Sequence, residues 1–145
     1  WEPIVRDDFA ISEIAKLTLG PDYPKLTPAE RRVFQNLLTE YTAASYAHHF
    51  QNGYAQIRIT GAEELEPHTA AVLTQLQTKN GKIHTLDYVL TYRHRAGNPW
   101  RIVNVVADGV SDLSLKRAEY TTEFHKSGFV GLQRKIDRQI GLLQR

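Results

Sequence analysis

The chain has 145 residues, the size of one ordinary domain, and its 41% hydrophobic and 23% charged residues suit a folded core rather than a disordered chain. A formal charge of +2 without any polybasic block gives no electrostatic basis for nucleic-acid binding. The absence of cysteine excludes disulfides, thiolate catalysis and cysteine-ligated zinc or iron–sulfur sites, and no apolar run approaches the ~20 residues of a membrane-spanning helix.

The chain starts at Trp1 and has no methionine, from which we expect a removed leader or a trimmed start. Phe9, Ile11, Ile14 and Leu17 recur at roughly helical spacing, and Leu19-Gly20-Pro21 predicts a helix stop near Leu19. Pro21-Asp22-Tyr23-Pro24 then reads as a loop. Thr27-Pro28-Ala29-Glu30 combines a capping-box pattern with proline at the first helical position. Beyond it Val33, Phe34, Leu37, Leu38, Tyr41, Ala44 and Ala47 recur at three- and four-residue intervals, predicting an amphipathic helix of about five or six turns to near Phe50.

After Asn52-Gly53 the period changes to two. Tyr54, Gln56, Arg58 and Thr60 alternate with Ala55, Ile57 and Ile59, predicting a short strand, and Gly61-Ala62-Glu63-Glu64-Leu65-Glu66-Pro67 reads as an acidic loop. A second strand is expected over about Thr69 to Thr78. Asn80-Gly81 marks a hairpin, and the returning strand places His84, Leu86, Tyr88, Leu90 and Tyr92 on one face, with Thr85, Asp87, Thr91 and Arg93 mostly on the other. Two registers remain open: a two-residue loop pairs Leu73 with Tyr88, whereas a three-residue loop with a bulge brings Val72 and Leu76 to that face.

Ala96-Gly97-Asn98-Pro99 predicts another turn, and Trp100-Arg101-Ile102-Val103-Asn104-Val105-Val106 is apolar on both faces, as expected of a central strand. The chain leaves the sheet through Asp108-Gly109-Val110-Ser111. Leu113, Leu115, Ala118, Tyr120 and Phe124 fit a helix ending at Ser127-Gly128, and Phe129, Leu132, Ile136, Ile140 and Leu143 fit a last amphipathic helix. The order of elements predicts a single α+β domain over residues 1–145, a curved antiparallel sheet of about four strands packed by N- and C-terminal helices.

The segment Trp100-Arg101-Ile102-Val103-Asn104-Val105-Val106-Ala107-Asp108-Gly109-Val110-Ser111, followed by Arg117-Ala118-Glu119-Tyr120 and Gly128-Phe129-Val130-Gly131-Leu132, resembles the MlaC, or toluene-tolerance, family of periplasmic lipid-binding proteins. The stretch Ala107-Asp108-Gly109-Val110-Ser111-Asp112-Leu113-Ser114-Leu115-Lys116-Arg117-Ala118-Glu119-Tyr120-Thr121 is more similar to the hopanoid-associated branch, HpnM, than to MlaC proper. With the capped helix at Thr27 and the helix end at Leu19-Gly20 in their expected places, the resemblance covers nearly the whole chain. It implies a mature periplasmic domain behind a cleaved signal peptide and an extra N-terminal helical segment, with an apolar cavity between sheet and helices. The implied ligand is phospholipid or a hopanoid-type lipid, with no other cofactor. The implied partners are an inner-membrane lipid transporter of ABC or RND type and an outer-membrane complex, in a lipid-transport role that maintains outer-membrane asymmetry. Asn104 replaces the aspartate more usual in the family's strand, and Asp112 and Lys116 interrupt its Asn-rich helix start, departures that bear on the ligand.

Lipid transfer needs sequestration and release rather than bond chemistry, so no enzyme activity is expected. Each methylene withdrawn from water contributes about 0.8 kcal/mol, so release of a two-chain lipid requires an alternative apolar path or a cavity that opens. The candidate lining residues are Phe34, Leu37, Leu38 and Tyr41 from the capped helix, and Leu86, Tyr88 and Leu90, with Ile102, Val103 or Val105, from the sheet. Tyr120, Phe124 and Phe129 are expected to close an end. Each of these also fits an ordinary packed core. Arg117 either braces the Asp108-Gly109 loop by pairing with Asp108 or Asp112, or meets a lipid head group. Arg134, Lys135, Arg138 and Arg145 read as a solvated helix face.

Two alternatives stand beside the carrier. A small isomerase or dehydratase would use a carboxylate and a tyrosine in an apolar pocket, but Asp87 and Tyr88 fall on opposite strand faces. A ligand-free adaptor of a membrane transport complex would present Tyr54, Tyr92 or the last helix. No metal site is expected, because His48 and His49 diverge by about 100° on a helix and His84 and His94 lie too far apart along a strand.

Overall fold

Punctuation by glycine and proline sets the helical half of the computed structural model, which describes residues 1–52 and 54–145. Where one helix was expected up to Leu19 there are two, α1 (Glu2–Asp8) and α2 (Ile11–Leu19). The break has a tertiary cause: Phe9 turns extended and forms a parallel bridge with Ile102, and the Ala10 N–H donates to the Ile102 carbonyl at 2.8 Å. Gly20, at φ 54° and ψ −126°, ends α2 in a conformation that glycine alone adopts readily. The expected loop after it is a 3₁₀ turn over Gly20–Lys25.

Asp22 anchors this turn to the last helix. It is buried, accepts a hydrogen bond from Lys25 Nζ at 2.8 Å and meets His125 Nε2 at 2.7 Å. The Lys25 hydrogen bond, aided by His125 and opposed by desolvation, holds the carboxyl below its ordinary value of 3.8. A folded pKa below the unfolded one gives stability that is present above the unfolded value and lost as pH falls through the folded value. Acid unfolding followed by circular dichroism should therefore show stability falling below about pH 4, with a shallower fall for Asp22→Asn.

The sequence signal at Thr27 folds as expected. The Thr27 N–H donates to Glu30 Oε1 at 2.9 Å and the Glu30 N–H donates to Thr27 Oγ1 at 3.1 Å, a reciprocal capping box opening α3 (Pro28–Asn52). The expected switch of period at Asn52-Gly53 and the surface role of the Tyr54 side chain fall outside what is described.

Among the described residues five strands follow in a meander: β1 (Tyr54–Glu66), β2 (Thr69–Thr78), β3 (Ile83–Tyr92), β4 (Trp100–Ala107) and β5 (Val110–Ser111), hydrogen-bonded in the order β1-β2-β3-β4-β5. The acidic segment expected as a loop belongs to β1, which pairs with β2 out to Glu66↔Thr69. An edge strand open to water tolerates Glu63, Glu64 and Glu66, and its register shifts bend it away from flat pairing. The fifth strand, beyond the four expected, is the return arm of a two-residue Asp108-Gly109 turn with φ of 49° and 82°. Between β2 and β3 the pairs Val72↔Tyr88 and Leu76↔His84 select the three-residue loop, with Gly81 at φ 88°.

The last element, α4 (Asp112–Leu143), is kinked at Gly128, where φ 70° and ψ −168° leave the helical region, so the predicted break is present inside one long helical span. Its start is tied to the sheet. Asn104 Nδ2 donates to Ser111 Oγ at 2.9 Å, the Leu113 N–H donates to Asn104 Oδ1 at 3.0 Å, and Ser111 Oγ caps the helix by accepting from the Ser114 N–H.

The main core lies among the helices rather than between helices and sheet. Leu19, Phe34, Leu37, Leu38, Tyr120, Leu132, Ile136 and Ile140 form it, and a smaller cluster of Val5, Phe9 and Ala43 adjoins Ile102 and Val105. Among the described strand residues only Ala71, Thr74, Leu76 and Val103 are buried. The apolar inner face of the sheet is therefore only half covered.

Candidate functional site

That incomplete cover is a cavity of about 260 Å³ between α3 and β2–β4. Helical spacing puts Leu38, Tyr41, Thr42, Ser45, Tyr46 and His49 on one stripe of α3 facing it. Antiparallel pairing sets the opposite face, because directly paired residues share a face: Thr74↔Leu86↔Ala107 and Val72↔Tyr88↔Val105, of which Leu86, Ala107 and Val105 line the cavity. A register shift between Val89 and Leu90 leaves Val103 between the pairs Val89↔Asn104 and Leu90↔Ile102. Ile102, Val103, Asn104 and Val105 consequently all reach the lining, together with Leu76 and Leu86.

The two ends differ. Phe9, Tyr46 and Phe50 close one with aromatic surface; Phe9 meets Tyr46 edge-on at 5.8 Å, and Tyr46 and Phe50 stack at 6.1 Å between centroids. The Tyr46 hydroxyl donates to the Tyr88 hydroxyl at 3.3 Å, linking helix and sheet. The other end is polar and belongs to the start of α4, where Asp112, Leu113 and Lys116 join the lining. Lys116 is bonded to the Asp112 carboxylate and its ammonium stands 5.0 Å over the Tyr41 ring. Burial pushes the Tyr41 hydroxyl above its ordinary pKa, with Asp112 and Glu119 adding to the shift, so it stays a neutral hydrogen-bonding group. Burial, and then His48, lower the pKa of His49, keeping that imidazole neutral at pH 7.

The cavity brings together Leu38, Tyr41, Leu86, Ile102, Val103 and Val105 of the residues expected to line it. Phe34, Leu37 and Tyr120 lie instead in the core among the helices, with Phe124 and Phe129 packed against it. The Tyr120 hydroxyl is taken up by Gln139 Oε1 at 2.8 Å. Tyr88 meets the cavity's neighbourhood through Tyr46, and Leu90 lies farther along the sheet, opposite Ala70 and Ile102. The Arg117 guanidinium packs over Gly20, with Nη2 3.2 Å from where a Cβ would stand, at the α2 C-terminus where a helix dipole favours a cation. The carboxylates considered for it are otherwise engaged: Asp108 contacts His84 Nδ1 at 2.7 Å and accepts from the Thr85 N–H at 2.8 Å, and Asp112 holds Lys116.

Sequence reasoning missed Phe9, Ser45, Tyr46, Leu76 and the Asp112–Lys116 pair as lining groups. Ser45 and Tyr46 were discoverable by extending the Leu38–Tyr41 stripe one turn, whereas Phe9 needed its bridge to Ile102. Chemically the site offers an apolar trough with one zwitterionic end. Among the described residues no group of three or more His, Cys, Asp or Glu side chains converges on a metal position, and no helix is long and apolar enough to cross a membrane.

A protein-family model described as MlaC protein matches residues 1–138. No curated protein sequence matches the chain. Among solved structures, the fold is similar to that of a phospholipid-binding protein from Ralstonia solanacearum, determined in complex with a phospholipid. The two share 15% identity at a TM-score of 0.77, over 94% of this chain and 76% of that one.

Proposed function

The chain belongs to the MlaC family, and from that premise we propose that it is a periplasmic lipid carrier that holds hydrocarbon in the cavity between α3 and the sheet. The observation that carries this reading is the apolar trough itself, walled by Leu38, Leu76, Leu86, Ile102, Val103 and Val105 and left open beneath a half-covered sheet. The phospholipid held by the structurally similar Ralstonia protein supports the same use of the fold. At about 260 Å³ the cavity falls just under the ~300–1,000 Å³ of ordinary small-molecule sites, so this form suits one hydrocarbon segment.

A two-chain lipid then enters by separation of sheet from helices. That motion is inexpensive in this architecture, because the main core lies within the helical layer and few strand residues are buried. The same motion provides release. The carrier loads at an inner-membrane transporter of ABC or RND type and exchanges with the outer membrane. The likeness of residues 107–121 to the HpnM branch supports a hopanoid-type lipid as a cargo alongside phospholipid.

Transfer of a fluorescent phospholipid from donor to acceptor vesicles tests the carrier. The rate should rise in proportion to protein concentration. A rate unchanged by the protein, for both phospholipid and hopanoid cargo, would remove the proposal.

A further inference from the structure

The polar end of the cavity is built around an ion pair whose partners differ in exposure. The Lys116 side chain is 11% exposed, whereas the Asp112 side chain is 47% exposed, so the pair runs from inside the cavity to its opening. Helix energetics accounts for half of it. In the first turns of α4 Asp112 suits the positive end of the dipole and makes a favourable i,i+4 pair with Lys116, but the dipole does not favour a lysine there and a buried ammonium is costly even when paired.

Hydrogen-bonding capacity points toward a ligand. An ammonium has three N–H donors; the Asp112 contact takes one, and the face of Tyr41 attracts the charge without supplying a lone pair on an oxygen. The Asp112 carboxylate likewise accepts more than one hydrogen bond. The pair is electrically neutral, so an incoming phosphate or carboxylate would meet Asp112 repulsion beside Lys116 attraction. A hydroxyl avoids this conflict, since it accepts from the ammonium and donates to the carboxylate at once. Tyr41, whose hydroxyl stays neutral, lines the cavity from α3 and is a third hydrogen-bonding group.

We propose that Asp112 and Lys116 select a lipid whose polar end is an uncharged hydroxyl, bridged between the two side chains at the mouth while its hydrocarbon lies along Leu38, Leu86 and Val105. This rests on the lipid-carrier reading and adds the class of polar end to it. Both residues are specificity-determining rather than catalytic.

Calorimetric titration with monopalmitoylglycerol and with palmitate, which share one acyl chain and differ in polar end, tests the proposal. The native protein should bind monopalmitoylglycerol about tenfold or more tightly than palmitate, the effect of hydrogen bonds to charged groups. Asp112→Asn leaves Lys116 without a counter-charge and should turn the preference toward palmitate. Its half-exposed position lets the fold survive, as circular dichroism would check. Lys116→Met keeps the aliphatic stem that covers apolar surface but leaves the Asp112 carboxylate to repel palmitate, so both affinities should fall while the preference for monopalmitoylglycerol persists or widens. Equal affinities in the native protein, or a ratio untouched by Asp112→Asn, would overturn the proposal and leave the pair a structural feature. If neither probe binds, this inference falls, while the lipid-carrier reading stands or falls by the phospholipid transfer assay.

Discussion

Replacing Ser45 and Leu86 together by tryptophan is expected to strip the protein of bound lipid, by about tenfold or more in co-purified material, while leaving it folded. The two side chains face the cavity from α3 and from β3, and neither belongs to the core among the helices. An indole grown from each wall occupies cavity space, so the overpacking penalty should stay near the ~1–3 kcal/mol typical of enlarged side chains. The single variants should give intermediate loss. Unfolding of the double variant would mean that sheet and helices are already packed solidly there, which contradicts a cavity.

The second large effect separates core from cavity. Phe34→Ala is expected to cost about 3–5 kcal/mol, since Phe34 is 0% exposed at the centre of the helical core with Leu37, Leu38, Leu132 and Ile136. That is a large part of the ~5–15 kcal/mol by which domains are stable. Leu86→Ala should cost only about 1 kcal/mol, because a half-buried side chain already facing open space loses part of its transfer term and creates little new cavity. Urea unfolding measures both. Similar costs for the two would show that the sheet contributes to one continuous core.

The elements legible in the sequence were those written in local chemistry. Thr27 to Glu30 announced a cap, Asn80-Gly81 a hairpin, and Gly128 a break, because each depends on residues within a few positions of one another. What escaped depended on distant partners. The spacing of Phe9 and Ile11 fits one helix, and only the bridge to Ile102 stops it. Glu63 and Glu64 look like loop residues until β2 supplies their pairing, and the β2–β3 register required the three-dimensional sheet.

The site was legible to the same degree. Phe34, Leu37, Leu38 and Tyr41 form one apolar stripe on α3, and no one-dimensional signal tells which of them meets another helix and which meets empty space. Periodicity reports burial on a face, not what covers that face. Asp112 and Lys116 stood out as departures from the family pattern, and their meeting over Tyr41 could be read only from the packing of α3 against α4.

Native mass spectrometry of the protein purified without delipidation bears most directly on the claim that the trough between α3 and the sheet holds lipid. The expected spectrum shows one adduct of lipid mass per chain, lost on organic extraction, regained on incubation with lipid vesicles and absent from the Ser45→Trp, Leu86→Trp protein. A chain that stays ligand-free before and after exposure to phospholipid and hopanoid vesicles would contradict it.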